Sequence, residues 1–122
     1  MLRVLLIGFF IAHGLVHVAI WAPNYDPQKA PFDASRSWLL GDQRALAQVL
    51  AFAAAVILIV TGIALWAHGG WWRPTVVVGL SVSTVLLLLY FNAWYLFILA
   101  VNLALIVGIT WMNWPSKSTV GA

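Results

Sequence analysis

The sequence has very few charged side chains. Only 7% of its 122 residues are Asp, Glu, Lys or Arg, whereas 64% are hydrophobic, and a soluble domain carries about 25% charged residues. A water-soluble fold of this size could not cover so much apolar surface. The composition therefore predicts a membrane protein, with the lipid bilayer as its first partner.

Cysteine is absent, which excludes disulfides, thiolate metal sites and thiol catalysis. The formal net charge is +3, from six Lys and Arg residues and three Asp and Glu residues. These charges are too few and too scattered to make the basic face that nucleic-acid binding needs, so no nucleic-acid partner is expected. The sequence also has no nucleophile with a matching base and no phosphate-binding glycine loop, which favours a non-enzymatic role.

Four long apolar runs dominate the chain, at residues 4–22, 45–67, 75–91 and 93–112. Each is close to the roughly 20 residues that cross about 30 Å of hydrocarbon as a helix. Helices are expected because a lipid-exposed strand would leave its backbone polar groups unpaired. A polar loop, residues 23–44, separates the first two runs. The predicted fold class is all-α, with residues 1–122 forming a single transmembrane domain, an antiparallel four-helix transmembrane bundle.

The connections between the runs contain recognisable local signals. Residues 35–40 are expected to form a short interfacial helix with Trp38 facing lipid. Asp42 is expected to cap the second span. Two glycines followed by Pro74 predict a turn between the second and third spans. A tight hairpin is expected around Asn92, where neither glycine nor proline is present.

Eight tryptophans are expected to mark the two membrane interfaces. Those assigned to the long-loop side are Trp21, Trp38 and Trp94, and those assigned to the opposite side are Trp66, Trp71, Trp72, Trp111 and Trp114. The Lys and Arg counts of the two sides nearly tie. We expect a multi-pass protein of the cell membrane, of the bacterial cytoplasmic type, with both termini in the cytoplasm.

Ionisable groups inside a span are energetically costly and mark candidate functional sites. His13 and His17 lie on one face of the first span, about 6 Å apart along the helix. Counting residues inward from the long-loop boundary places four more polar side chains at a similar depth. They are Gln48, Ser83, Thr84 and Asn102. We therefore predict a hydrogen-bonded cluster centred on His13 and Asn102, with one of the other three near His17.

Three interpretations of this cluster stay open: structural contacts that set helix register, a metal or proton site, and a small-molecule pocket. A metal bound by His13 and His17 needs a third ligand. No carboxylate lies within the spans, so Asp26, Asp33 or Tyr25 would have to fold down from the long loop onto His17. A transition metal is the possible cofactor, and a b-type haem is disfavoured because His68 lies at the opposite interface.

The sequence reads HGLVH at residues 13–17 and AVN at residues 100–102. Together with the polar loop and an alanine-rich second span, this layout resembles a widespread group of small bacterial four-span membrane proteins. Those proteins have an HGxxH-type first helix and an Ala-x-Asn or Ala-Asn step in the last helix. They often carry charges between the third and fourth helices, where this chain has YFNAW. The resemblance implies architecture and emphasises His13, His17 and Asn102, without an established activity.

The leading functional hypothesis is a non-enzymatic accessory or structural subunit, because so little of the chain lies outside the spans. Such a subunit would associate with itself or with other membrane protein subunits. The alternative is a protein that binds or transports a metal ion, a proton or a small amphiphile through the layer of His13 and His17.

Overall fold

The structure is a computed structural model that describes all 122 residues, and it is mostly helical. The long helices are α1 (Leu2–Trp21), α2 (Arg44–Trp66), α3 (Trp72–Leu89) and α4 (Leu96–Thr110), and a 3₁₀ turn at Ala93–Tyr95 leads into α4. A short helix, α5 (Lys117–Val120), follows near the C-terminus, and two short strands, β1 (Arg36–Ser37) and β2 (Gly41–Asp42), pair as a hairpin. Four helices are long and apolar enough to cross a membrane: Leu2–Trp21, Arg44–Trp66, Trp72–Leu89 and Ala93–Thr110.

Glycine allows α1 and α2 to approach closely. A Cβ atom on Gly14 would lie 2.8 Å from the backbone oxygen of Ala55, and one on Gly62 would lie 2.8 Å from the side chain of Ile11. Small residues at such a contact let two helix backbones come near each other in an apolar medium. The buried alanines of α2 are Ala47, Ala51, Ala54, Ala55 and Ala64. Helix α2 is consequently an interior helix that packs against both α1 and α3.

The helices pack in chain order, with α1 on α2, α2 on α3 and α3 on α4. At one end of the α2–α3 pair, the hydroxyl of Tyr90 donates a hydrogen bond to the backbone oxygen of Gln43, at 2.6 Å. At the other end, Leu65 and Trp72 belong to one buried cluster. Helices α1 and α4 make at most marginal backbone contact with each other. The four helices therefore leave a gap between the first and the last.

Two apolar clusters form the core, and a polar layer lies between them. The cluster near the chain termini contains Leu6, Phe10, Leu58, Ala64, Leu65, Trp72, Val76, Leu80, Ile109 and Val120. The cluster near the long loop contains Trp21, Ala47, Ala51, Leu86, Leu87, Tyr90, Tyr95 and Leu99. The buried polar residues between these two clusters in sequence are His13, His17, Ser83 and Asn102. Packing on both sides thus encloses these four polar side chains.

The predicted helix at residues 35–40 is wrong, because this segment contains strand β1 and the turn that leads into β2. The hydroxyl oxygen of Ser37 accepts hydrogen bonds from the backbone N–H groups of Leu39 and Leu40, at 3.2 Å and 3.0 Å. Gly41 then has a φ of +75°, a left-handed conformation that favours glycine and ends the turn. These local side-chain contacts compete successfully with a helix.

Two further expectations need correction, at the starts of α2 and α3. Asp42 lies in β2 and does not cap α2, whose N-cap residue is Gln43 without a side-chain cap bond. Helix α3 begins at Trp72, three residues before the apolar run, because Pro74 is tolerated in a first helical turn. The tight turn at Asn92 agrees with the prediction, and the side-chain oxygen of Asn92 accepts a hydrogen bond from the backbone N–H of Trp94, at 3.1 Å.

The tryptophans do not all lie at the surface. Trp72 is fully buried and Trp21 is 3% exposed, so these two are core residues and not interface anchors. The six that are exposed are Trp38, Trp66, Trp71, Trp94, Trp111 and Trp114. Sequence position alone did not show which of Trp71 and Trp72 is buried. Adjacent residues on a helix face directions about 100° apart, so the rotation of the helix decides which of the two enters the core.

The C-terminal segment folds back onto the end of the molecule that holds the N-terminus. Val120 is buried in the core cluster near the chain termini. The ring nitrogen Nδ1 of His68 lies 2.9 Å from the backbone oxygen of Gly121, and a guanidinium nitrogen of Arg3 contacts the same ring. The guanidinium of Arg73 donates to the backbone oxygen of Pro115. This end is basic, and all three acids of the chain lie in the long connection between α1 and α2.

Candidate functional site: a polar layer beside an apolar cleft

Four of the predicted residues form one hydrogen-bonded network, which we call the polar layer: His17, Ser83, Thr84 and Asn102. The ring nitrogen Nε2 of His17 lies 2.8 Å from the hydroxyl oxygen of Ser83. The amide nitrogen of Asn102 donates to that same oxygen at 2.9 Å, and to the hydroxyl oxygen of Thr84 at 3.4 Å. The polar layer joins α1, α3 and α4. Ser83 is at its centre, whereas the sequence predicted a cluster centred on His13 and Asn102.

The partners assign the hydrogen atoms of this network. A backbone oxygen only accepts, so Nδ1 of His17 carries a hydrogen and donates it to the backbone oxygen of His13, at 2.7 Å. The Thr84 hydroxyl donates to its own helix at 2.7 Å, so its oxygen accepts from the amide nitrogen of Asn102. Ser83 also accepts from Asn102, which leaves its hydroxyl hydrogen for Nε2 of His17. An uncharged His17 ring thus satisfies both of its own nitrogens, together with the backbone oxygen of His13 and the hydroxyl of Ser83.

Three buried polar atoms beside the polar layer have no hydrogen-bond partner. They are Nε2 of His13, the hydroxyl oxygen of Tyr95 and the amide oxygen of Asn102. A buried polar atom without a partner costs about 1–3 kcal/mol, and folded proteins contain few of them. Partners supplied by a bound molecule would remove that cost.

A cavity of about 240 Å³ lies beside the polar layer, and we call it the α1/α4 cleft. Its lining residues are Phe9, Ala12, His13, Val16, His17, Ile20 and Trp21 on α1, Leu87 on α3, Tyr95 in the 3₁₀ turn and Ile98 on α4. Val16 is 50% exposed, so the cleft reaches the outer surface of the helices. Apolar walls with few polar groups are typical of small-molecule sites.

Aromatic side chains form a continuous row along the α1 wall of the cleft. The ring of His13 stacks on Phe9 with 5.4 Å between centroids, and it meets His17 edge to face at 5.0 Å. The ring of His17 stacks on Trp21 at 5.8 Å. These four residues recur every fourth position, which places them on one helical face. The row gives the cleft a long, flat aromatic wall.

The long loop closes one end of the cleft. The ring of Tyr95 lies 5.7 Å from that of Trp21 and 5.4 Å from that of Phe32, which descends from the loop. The indole nitrogen of Trp21 donates to the backbone oxygen of Ala34, at 2.9 Å. This contact ties the loop to the end of α1, so the remaining way into the cleft is from the side, between α1 and α4.

Gln48 lies at the predicted depth but outside the polar layer. Its amide nitrogen donates to the backbone oxygen of Trp21, at 3.2 Å. The bond fastens the end of α1 to α2 and satisfies a carbonyl that the end of the helix leaves free. Depth along the chain predicted the level of Gln48, but the rotation of α2 directs its side chain towards Trp21 instead of His17.

Tyr95 is the candidate residue that the sequence had not singled out. It follows Trp94 at the start of the fourth apolar run, where an aromatic residue is readily assigned to the membrane interface. The structure instead buries its ring, with 5% exposed. The sequence feature that could have identified Tyr95 is a phenol hydroxyl inside a predicted span, because buried tyrosine hydroxyls usually have a hydrogen-bond partner.

The residues present do not assemble a metal site around His13 and His17. No group of three or more His, Cys, Asp or Glu side chains lies close enough to hold one ion. The carboxylate of Asp26 lies 3.8 Å from the amine of Lys29, and that of Asp33 accepts hydrogen bonds from residue 35. Neither acid therefore supplies the additional ligand that a tetrahedral site needs.

No protein-family model, curated protein or solved structure matches this chain. The resemblance to small bacterial four-span proteins accordingly stays a prediction from short motifs. What the fold does define is a small helical protein whose four apolar helices are compatible with a multi-pass membrane protein in contact with lipid. Within it, a polar layer adjoins a cleft that opens between the first and last helices.

Proposed function

We propose that this protein is a non-enzymatic, multi-pass protein of the cell membrane that binds a small amphiphile in the α1/α4 cleft. One observation carries the proposal. His13 and Tyr95 line the same apolar cavity, and each has a buried polar atom without a hydrogen-bond partner. A molecule with an apolar body and a polar group fits both features at once.

A purely structural role explains only part of the site. Polar side chains that merely hold helices together are expected to satisfy one another, as His17 and Ser83 do. His13 and Tyr95 belong to no such contact. The metal interpretation is also less well supported, because no third ligand lies nearby. Of the interpretations that the sequence left open, the small-molecule pocket therefore has the most support.

The proposed membrane arrangement is an antiparallel bundle formed by the single domain, with both termini in the cytoplasm. Contacts between Gln43 and Tyr90 at one end of α2 and α3, and between Leu65 and Trp72 at the other, support opposite directions for these two helices. The end holding the termini carries Arg3, Arg73 and Lys117 and no acid, whereas the long-loop end carries as many basic residues together with all three acids of the chain. The proposal places the end with net positive charge in the cytoplasm. A bacterial cytoplasmic membrane fits this distribution.

Filling the cleft tests the proposal. Ala12 lines the cleft, whereas Ala104 lies exposed on α4 outside it. Native mass spectrometry of protein released from lipid nanodiscs is expected to show one small amphiphile retained per wild-type chain. The Ala12→Phe variant is expected to lose it and the matched Ala104→Phe variant to keep it. Equal retention by both variants would contradict binding in the cleft.

The accessory-subunit role is a second candidate, supported by the same open side of the molecule. A helix of another subunit, or of a second copy, could pack where α1 and α4 stay apart. Because the chain has no cysteine, a Val16→Cys variant reports directly on what covers the cleft. A cross-link from residue 16 to another polypeptide in native membranes favours this role. Free reaction with a lipid-soluble maleimide favours the amphiphile.

A further inference from the structure

We infer that the occupant of the α1/α4 cleft is an uncharged, lipid-soluble molecule whose head is a flat ring with oxygen atoms at opposite ends, that is, of the quinone or hydroquinone class. The inference rests on the proposed function and specifies the ligand of that same site. It concerns binding alone. Charge, shape and the positions of the unpartnered atoms each limit the ligand independently.

Charge is the first limit. No Asp, Glu, Lys or Arg lines the cleft. The His17 ring makes both of its hydrogen bonds in the uncharged form. A carboxylate or phosphate head would therefore enter an apolar cavity without a counter-charge, which is strongly unfavourable. The ligand head is consequently neutral, which separates it from fatty acids and from phospholipids.

Shape is the second limit. The row formed by Phe9, His13, His17 and Trp21 presents ring faces and edges along one wall. Leu87 and Ile98 face this wall across a volume of only about 240 Å³. A single flat ring can stack against such a wall, as aromatic pairs do with centroids 4.5–7 Å apart.

The unpartnered atoms are the third limit. Tyr95 contacts the ring of Trp21, and His13 precedes Trp21 by eight residues, about 12 Å along the helix. Tyr95 thus lies beside the Trp21 end of the α1 wall and His13 lies further along that wall, and each carries a polar atom without a partner. A hydroxyl donates readily to a carbonyl oxygen, and a ring nitrogen donates or accepts according to its tautomer. A ring with an oxygen at each end meets both, in either its quinone or its hydroquinone form.

The side opening accounts for the rest of such a molecule. Ala12 and Val16 lie at the rim of the cleft and are exposed. An alkyl tail attached to the ring can leave there into the surrounding hydrocarbon, where its burial costs nothing further. Only the head then needs the cleft, which is consistent with the small volume.

The test compares three probes, with alkyl tails of nine or ten carbons, on the full chain in lipid nanodiscs. Decylubiquinone carries the ring and its oxygens, decylbenzene carries the ring alone, and decanoic acid carries a charged head. Decylubiquinone is expected to bind saturably and much more tightly than either of the others. Tyr95→Phe and His13→Phe, which remove polar atoms while keeping a ring, are each expected to weaken its binding about tenfold.

Trp94→Phe is the control, because Trp94 is the exposed neighbour of Tyr95 outside the cleft. Thermal unfolding of each variant verifies that it folds. If either Tyr95→Phe or His13→Phe fails to fold, the other still tests the quinone assignment. Equal binding of decylbenzene and decylubiquinone, or tighter binding of decanoic acid, would overturn the quinone assignment while leaving an amphiphile site. If the filled Ala12→Phe variant binds all three probes as the wild type does, the site itself is refuted.

Discussion

Two histidines on one helix face have different surroundings at the residue scale. His17 uses both ring nitrogens, one on the backbone of His13 and one on Ser83. His13 stacks on Phe9 but leaves Nε2 without a partner. The same side chain therefore serves two purposes, because α3 supplies a hydroxyl beside His17 and nothing comparable beside His13. The structure thus gives His17 a role in helix contact, and His13 keeps a free ring nitrogen for the proposed ligand.

Ser83 is the residue whose loss should affect the polar layer most. Ser83→Ala removes the hydrogen bonds to His17 and Asn102 at once. Each contact of this kind in a membrane protein is worth about 0.6 kcal/mol, so the free energy of unfolding is expected to fall by about 1–2 kcal/mol. Reversible unfolding in mixed micelles measures the change. Ser81→Ala, at an exposed position of the same helix, is the control, and an equal effect of both would contradict the role of Ser83.

The contact between α1 and α2 determines the geometry of the site at the element scale. Gly14 lies between the two histidines in sequence and faces the backbone oxygen of Ala55. That contact fixes the rotation of α1 about its own axis. With α1 held in this way, His13 and His17 turn away from lipid and are 7% and 3% exposed. The aromatic row on α1 consequently depends on a glycine on another face of the helix.

Gly14→Ala is expected to separate α1 from α2, because the added Cβ would lie 2.8 Å from a backbone atom that cannot move independently. Overpacking of this kind costs about 1–3 kcal/mol. The matched control is Gly8→Ala on the same helix, where a Cβ would meet nothing within 4 Å. The same micelle unfolding assay compares them. A Gly14→Ala variant as stable as Gly8→Ala would show that the close contact is absent.

The arrangement of the whole molecule gives the site its access. Both ends of the cleft are covered, by the long loop on one side and by the core cluster near the termini on the other. The gap between α1 and α4 is left open by the order in which the helices pack. A lipid-soluble molecule would therefore enter from the bilayer and not from water. This access follows from the arrangement of all four helices and belongs to none of them alone.

The proposed topology predicts which side of the membrane each end of the molecule occupies. Single-cysteine variants are unambiguous because the chain has no cysteine of its own. Gln28→Cys in the long loop and Ser118→Cys near the C-terminus are both exposed positions. A membrane-impermeant maleimide is expected to label residue 28 in intact cells, and residue 118 only after permeabilisation. Labelling of both positions from one side would contradict the three crossings, by α2, α3 and α4, between them.

Local signals predicted the elements well, and depth predicted part of the site. The four apolar runs became four long helices within a few residues, because helix length and apolar composition are properties of each segment alone. Counting residues also brought Ser83, Thr84 and Asn102 to the level of His17. It failed for Gln48, which bonds to the backbone of Trp21, since counting measures height and not the direction in which a side chain points.

The amino-acid sequence by itself determined the number of long helices and their suitability for crossing a membrane, because the free energy of transfer into hydrocarbon adds up residue by residue along each run. Only the tertiary structure decided which polar atoms meet and which stay without a partner. That outcome depends on the rotation and packing order of the helices, which arise from contacts between distant residues such as Gly14 and Ala55. The cleft of His13 and Tyr95 exists for the same reason, since its two walls lie about eighty residues apart in the chain.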